Sequence, residues 1–408
     1  MFKNILGNSI LTALIRGASF GVRIFALLIS ARYSEPAYFG TIALFFTVAE
    51  IGRLVADFGV DTYTMREYAS HRNKQMLERT IGSAICVKIT FGILVSCLGL
   101  GVMWYLRSDN FLLMLPFALM IISPLIMNLP INFFIAKMRG RHIVFFVLAA
   151  GLMSLVIFYL IFAVIKKPQA AFFIIPIIES IVGLVLICKV PVIRRSLHSL
   201  HFDGMVELIK MTLPIAVATI LGIAYGRMDV FFLEKFRSAE ELGLYAFSVR
   251  LVEPFQFIAG ALAVNAYGHI ASSLKKSAIE SANMNSRYRK VMAIYAAIAF
   301  VLILIIANIF LGSLFAKYAV TQWMLNIAGI ILIFKCGNLI TTSGIQAHGK
   351  YKFITSIAIW NFSFLIIAMF ILVPRMGAYG ALISVLTMEA TNFLLQNYYL
   401  RKLLVEKS

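Results

Sequence analysis

Residues 143–165 read IVFFVLAAGLMSLVIFYLIFAVI, an apolar run without a charged side chain. A helix needs about 20 such residues to cross the hydrocarbon core of a bilayer. Uncharged runs of similar length occupy 291–315 and 354–373. The strands of a membrane barrel would alternate in polarity over about 10 residues, and these runs do not alternate. The sequence therefore predicts membrane-spanning helices.

The composition of the whole chain agrees with that prediction. Of 408 residues, 61% are hydrophobic and 13% charged, with a mean hydropathy of +0.91, whereas soluble domains carry about 25% charged residues. A soluble enzyme is excluded. The net charge of +19 would suggest nucleic acid in a soluble protein, but in a membrane protein it reflects positive loops kept in the cytoplasm. We therefore expect no nucleic-acid partner.

The same criterion predicts twelve spans along the chain. They are 8–30, 38–60, 81–105, 111–136, 143–165, 170–190, 211–233, 242–265, 291–315, 319–343, 354–373 and 378–400. The first contains Arg16 and Arg23 and has no small-residue cleavage site, which indicates an uncleaved span. The four cysteines fall in apolar stretches without metal-ligand spacing, so we expect core residues and no metal site.

Basic residues concentrate in alternate connections between these spans. The connection after the second span holds Arg66, Arg72, Lys74 and Arg79, whereas no connection on the opposite side holds more than two basic residues. Because positively charged loops remain cytoplasmic, both termini are predicted to lie in the cytoplasm.

The chain also divides into two similar halves. A shift of 203 residues places Arg32, Gly40, Ala43 and Glu50 on Lys235, Gly243, Ala246 and Glu253. We therefore predict an N-terminal lobe over 1–200, a C-terminal lobe over 201–408, and a linker at about 191–210. Because each lobe has six spans, the lobes should be parallel and related by a pseudo-two-fold axis, with the substrate path between them.

Seven cations fall inside predicted spans, where each costs at least ~2.5–3.5 kcal/mol on insertion. They are Arg16, Arg23, Arg53, Lys88, Arg227, Arg250 and Lys335. Arg16 and Arg23 lie two helical turns apart on one face of a helix that contains no acid. Their partner must come from another helix or from an anionic ligand, and guanidinium groups bind phosphate bidentately.

Acidic residues in or near the spans could neutralise the other cations. They are Glu50, Asp57, Asp61, Glu179, Asp229, Glu253 and Glu389. Pairs of Arg53 with Glu50 or Asp57, of Arg227 with Asp229, and of Arg250 with Glu253 are compatible with structure or with function. Lys88 and Lys335 are expected to extend toward the membrane surface. Since charge gathers on spans one, two, seven and eight, we predict a polar vestibule there.

Several short motifs carry a family resemblance over the whole chain. They are Lys3-Asn4, Ala31-Arg32, Phe39-Gly40, Asp57-Phe58-Gly59-Val60 and Leu242-Gly243-Leu244-Tyr245. On these the chain resembles the multidrug/oligosaccharidyl-lipid/polysaccharide exporter superfamily and, within it, the O-antigen flippases of the Wzx type. The resemblance implies an all-α, two-lobed fold like the multidrug and toxic compound exporters. It also implies movement of an undecaprenyl-pyrophosphate-linked oligosaccharide across the bacterial inner membrane, toward the periplasm, by alternating access.

The resemblance also implies a site. In the related peptidoglycan lipid flippases, which have two additional spans, arginines on spans one, two and eight line a cationic cavity. Arg16, Arg23, Arg53 and Arg250 occupy similar places and are predicted to bind substrate. Glu50, Asp57, Glu179, Glu253 and Glu389 are candidates for ion coupling or for pairing.

No catalytic residue, metal or cofactor is expected from the sequence. Because there is no Walker A pattern, transport is expected to be coupled to a proton or sodium gradient. The expected partners are the lipid-linked glycan, the bilayer and other membrane proteins of O-antigen assembly.

Three alternatives remain at this point. A drug or cation exporter of the same superfamily would favour an acidic cavity. A membrane glycan polymerase or ligase would need a large outward loop, and no predicted outward loop exceeds about ten residues. A non-transporting scaffold would not require arginines inside the membrane.

Overall fold

The computed structural model describes residues 2–70, 74–198 and 202–405, and the regular elements in these ranges are all helical. The α-helices are α1 (Phe2–Tyr33), α2 (Pro36–Asp57), α3 (Val60–Ser70), α4 (Lys74–Leu106), α5 (Phe111–Ala136), α6 (Val144–Tyr159), α7 (Pro168–Cys188), α8 (Pro191–His198), α9 (Asp203–Phe236), α10 (Ala239–Leu274), α11 (Ala278–Ile305), α12 (Leu311–Leu314), α13 (Gln322–Ala347) and α14 (Tyr351–Val405). Helices satisfy their backbone hydrogen bonds internally, which the bilayer requires.

In the described part of the chain, nine helices are long and apolar enough to cross a membrane. One of them, α14, loses helical geometry at Gly377 (φ 57°, ψ −132°) and so divides into two segments. Two further long helices, α1 with 32 residues and α9 with 34, are consistent with the twelve predicted spans. The prediction of an all-α integral membrane protein is confirmed.

The helices form two compact units. The first comprises Met1–Tyr33 and Thr41–Ala224, and the second comprises Ser34–Gly40 and Tyr225–Ser408. Helix α9 therefore contributes to both units. The lobe boundary expected between residues 200 and 201 falls within 199–201, which lie outside the described residues.

In the first unit, α5 is the central helix and packs mainly against α7 and α4. Phe117 of α5 contacts the rings of Phe45 and Phe172 at centroid distances of 6.0 and 5.0 Å. By contrast, the uncharged α6 exposes large apolar side chains, including Phe145 at 79%. Such a face suits lipid, as the absence of charge predicts.

A sharp break separates α2 from α3 at the Asp57-Phe58-Gly59-Val60 motif. Phe58 and Gly59 both adopt positive φ angles, 49° and 77°. The Asp57 carboxylate accepts the backbone N–H of Asp61, which caps the first turn of α3. A Cβ on Gly59 would also contact the Ile215 side chain at 3.0 Å. Beyond the break, burial raises the pKa of the Tyr68 hydroxyl, which therefore stays protonated.

In the second unit, α13 is the central helix and packs against α10, α11 and α14. Ser238 caps α10 by accepting the N–H of Glu241, and Ser277 caps α11 by accepting the N–H of Glu280, at 3.2 and 3.0 Å. Each is a Ser-x-x-Glu sequence, the pattern of a capping box. Helix starts in this unit therefore follow directly from the sequence.

At two glycines of the second unit, a neighbouring oxygen atom lies where a side chain would otherwise be. A Cβ on Gly243 would overlap the carbonyl oxygen of Pro36. At the corner of α14, a Cβ on Gly377 would overlap the Glu241 carboxylate, which accepts the N–H of Ala378 at 2.7 Å. Arg237 donates to the Val373 and Pro374 carbonyls of the same corner. This arrangement allows the chain to reverse between the two segments of α14.

Candidate functional site

The first site is a buried ion pair between α1 and α7. Arg23 Nη2 donates to both carboxylate oxygens of Glu179 at 2.9 Å, and Arg23 Nε donates at 3.3 Å. The side chains are only 11% and 9% exposed. Ser123 of α5 donates a fourth hydrogen bond, at 2.6 Å, to Glu179. The α1 arginine thus finds its acid on another helix, one of the two possibilities left open by the sequence.

Arg53 of α2 differs from Arg23 in its hydrogen bonding. Its Nε is buried and has no hydrogen-bond acceptor. The charges of Arg23, Glu50, Asp61 and Glu179 all act on its guanidinium group. The predicted direct pair of Arg53 with Asp57 does not form, because Asp57 pairs with a lysine instead. A buried donor without an acceptor is an open place for a ligand oxygen.

The side chain of Arg16, predicted to bind substrate, lies outside the described residues. Glu50, on α2, is partly buried and makes interactions of its own. Two of the four predicted substrate-binding arginines, Arg23 and Arg53, therefore lie in the first unit and act on each other electrostatically.

Lys88 of α4 lies at the centre of a second buried group. Its Nζ is 2.9 Å from Asp57 and 2.6 Å from Asp61. Asn128 and Asn132 of α5 donate to the Asp61 carboxylate at 3.0 and 2.9 Å. We call these five residues the Lys88 cluster. The expectation that Lys88 extends to the membrane surface is wrong, because its side chain is only 5% exposed and balances two carboxylates.

In the second unit, one carboxylate serves two arginines. Glu253 accepts from Arg227 at 2.5 Å and from Arg250 at 2.9 Å. The predicted pair of Arg250 with Glu253 is confirmed. Asp229, the acid expected to pair with Arg227, is buried and accepts from the Tyr245 hydroxyl. Glu253 therefore binds a cation from each of α9 and α10.

Glu389 of α14 is a buried carboxylate of a different kind. It accepts from Asn338 at 2.6 Å and from the Tyr225 hydroxyl at 3.3 Å. Both partners are neutral, and in the described part of the chain no lysine or arginine pairs with Glu389. No ion pair in that part of the chain therefore depends on the Glu389 carboxylate.

Sequence reasoning missed the neutral members of these groups. Asn128 and Asn132 were not predicted as site residues, yet their spacing of four residues places both amides on one face of α5. Polar side chains on one face of a span commonly bond across helices. That signal was present for the asparagines, whereas nothing in the sequence singled out Ser123.

The fold resembles that of several solved membrane transporters. The chain is similar to an inward-facing multidrug resistance MATE family transporter of the MOP superfamily, with a TM-score of 0.76 and 13% identity over 95% of this chain and 96% of that one. It is also similar to the lipid II flippase MurJ in an inward closed conformation, with a TM-score of 0.76 and 10% identity over 95% and 87%. It is also similar to a MOP superfamily transporter from Pyrococcus furiosus, with a TM-score of 0.64 and 14% identity over 98% of this chain and 96% of that one.

At these identities the similarity establishes the MATE-like fold. Residues 5–267 match the family described as polysaccharide biosynthesis protein. Because the match covers more than half of the chain, the protein belongs to that family. A comparison with curated proteins found no match.

Proposed function

We propose that this protein translocates an undecaprenyl-pyrophosphate-linked oligosaccharide, the repeat unit of an O-antigen, from the cytoplasmic to the periplasmic leaflet. Membership of the polysaccharide biosynthesis family supports a glycan substrate, and the structural similarity to a lipid II flippase supports a lipid-linked one. In this proposal it is a transporter of the bacterial inner membrane with both termini in the cytoplasm. Other membrane proteins of O-antigen assembly are its proposed partners.

The observation that carries the proposal is the buried Nε donor of Arg53, which has no hydrogen-bond acceptor and lies in the field of the Arg23 charge. A pyrophosphate cannot enter hydrocarbon unaided, since an isolated charge there is strongly unfavourable. Two neighbouring guanidinium groups supply planar donors that match its oxygens. The lipid tail can remain in the bilayer throughout, so the protein needs only a cationic path that opens alternately to each side.

The test uses a strain in which the gene has been deleted. We expect the lipid-linked glycan to accumulate on the cytoplasmic leaflet, and wild-type protein to restore surface glycan. Arg53→Ala at normal abundance should fail to restore it, and Arg53→Lys should restore part, because lysine keeps the charge but loses the planar fork. The matched control is Arg32→Ala, an exposed arginine of the same unit, which should behave as wild type.

Two outcomes would count against the proposal. Full surface glycan with Arg53→Ala would remove the assigned substrate contact. A deletion strain with normal surface glycan but greater drug sensitivity would favour a drug exporter of the same superfamily.

We further propose that transport is driven by a proton gradient through Glu389. Its neutral partners support this choice over Asp57, Glu179 and Glu253, which each neutralise a cation. In proteoliposomes, a pH gradient should accelerate flipping by wild type, and Glu389→Gln should abolish that acceleration. An unchanged response in Glu389→Gln, or acceleration by a sodium gradient alone, would contradict proton coupling at this residue.

A further inference from the structure

The Arg23–Glu179 pair has the geometry of a bound anion. Glu179 presents both oxygens to one Arg23 nitrogen at 2.9 Å, and a phosphate group would take the same bidentate place. Arg53 lies within the electrostatic field of both residues and keeps its Nε without an acceptor. The Glu179 carboxylate therefore occupies the guanidinium group of Arg23. The guanidinium group of Arg53 keeps a donor without an acceptor.

Glu179 also has a second anchor that does not depend on Arg23. Ser123 donates to its Oε2 at 2.6 Å from α5. If the carboxylate leaves Arg23, this hydrogen bond still holds it in the protein interior. The pair can therefore open without stranding an unbonded carboxylate, which would otherwise be costly.

From this arrangement we infer that Glu179 is an exchangeable counter-anion for Arg23, displaced by the phosphate of the substrate and restored when the substrate leaves. This inference rests on the proposed function and deepens it by assigning a residue that controls affinity at the same site. The exchange keeps Arg23 neutralised both with and without substrate. Because an uncompensated buried cation is strongly destabilising, the empty protein needs Glu179 to return.

The inference gives opposite predictions for two neighbouring residues. Glu179→Gln removes the competing anion and should tighten ligand binding by about tenfold, the factor supplied by one charge-assisted hydrogen bond. Ser123→Ala removes the second anchor, so the carboxylate depends more on Arg23 and ligand binding should weaken. A purely structural ion pair would give weaker binding in both variants, through loss of site geometry.

The probe is farnesyl pyrophosphate, and the measurement is its binding to the purified full-length protein by titration calorimetry and thermal shift. Ser384→Ala is the matched control, because this buried α14 serine of the second unit donates to the Gly380 carbonyl of its own helix, and its affinity should equal that of wild type. Without ligand, Glu179→Gln should melt at a lower temperature than wild type. Ligand should reduce this difference in melting temperature.

The outcomes separate this inference from the proposed function. Tighter binding in Glu179→Gln together with weaker binding in Ser123→Ala would support the exchange. Unchanged or weaker binding in Glu179→Gln, with clear binding by wild type, would overturn the exchange and leave the proposed function standing. If Glu179→Gln does not fold, the Ser123→Ala variant decides. Ligand affinity of Ser123→Ala equal to or tighter than that of wild type would overturn the exchange. Absence of binding by wild type would overturn both.

Discussion

Replacing Lys88 by methionine tests whether the Lys88 cluster is a structural core of the first unit. The substitution keeps the length and apolar stem of the side chain but removes the charge that lies 2.9 Å from Asp57 and 2.6 Å from Asp61. Two neighbouring carboxylates are then left inside the unit without their cation. We expect a large loss of stability for this reason.

The expected magnitude follows from the burial of the pair. Removing one partner of a buried ion pair costs about 3–5 kcal/mol. For a unit of about 200 residues, each kcal/mol corresponds to about 2–4 °C in melting temperature. Lys88→Met should therefore lower the melting temperature by about 6–20 °C. The asparagine hydrogen bonds to Asp61 remain, which places the result toward the lower end of this range.

The assay is the thermal unfolding of the purified protein in detergent. Lys335→Met is the matched control, because Lys335 also lies in a span, on α13, and has no ion pair among the described residues. A double variant, Lys88→Met with Asp57→Asn, should recover part of the loss by removing one stranded charge. A Lys88→Met protein that melts within about 2 °C of wild type would refute the reasoning.

Three further predictions concern the backbone and the topology. Gly377→Ala should lower stability by at least about 2 kcal/mol more than Gly349→Ala, since both glycines have positive φ but only the first would meet a facing carboxylate; equal losses would contradict this. Gly243→Ala should reduce the amount of folded protein strongly, while Gly260→Ala, with open space at its Cβ, should not. A cysteine placed at position 280 of a variant lacking native cysteines should be labelled only from the cytoplasm, and labelling of intact cells by an impermeant reagent would overturn the orientation.

The four cysteines show that the polarity of the surrounding sequence does not by itself predict whether a residue is buried. All four were expected in the core because they lie in apolar stretches. Cys86 and Cys336 are buried, but Cys97 and Cys188 are exposed, so the expectation is wrong for two of them. In a membrane protein both the core and the lipid-facing surface are apolar, so hydrophobicity does not separate one from the other.

The sequence by itself determined the membrane-spanning helices and their approximate limits, because an apolar run of sufficient length can only be helical in a bilayer. It also determined the i, i+3 pair of Arg250 with Glu253. Each of these depends on residues close together in the chain, so local geometry suffices to predict it.

Only the tertiary structure decided which buried charges neutralise each other. Arg23 and Glu179 are separated by 156 positions, and Lys88 and Asp57 by 31. Their pairing depends on how α1 packs near α7 and how α4 packs near α2, which the helical periodicity of either segment does not specify. A carboxylate inside a span accepts whichever cation or amide the packing brings within about 3 Å, so partner choice in this protein is a property of helix packing.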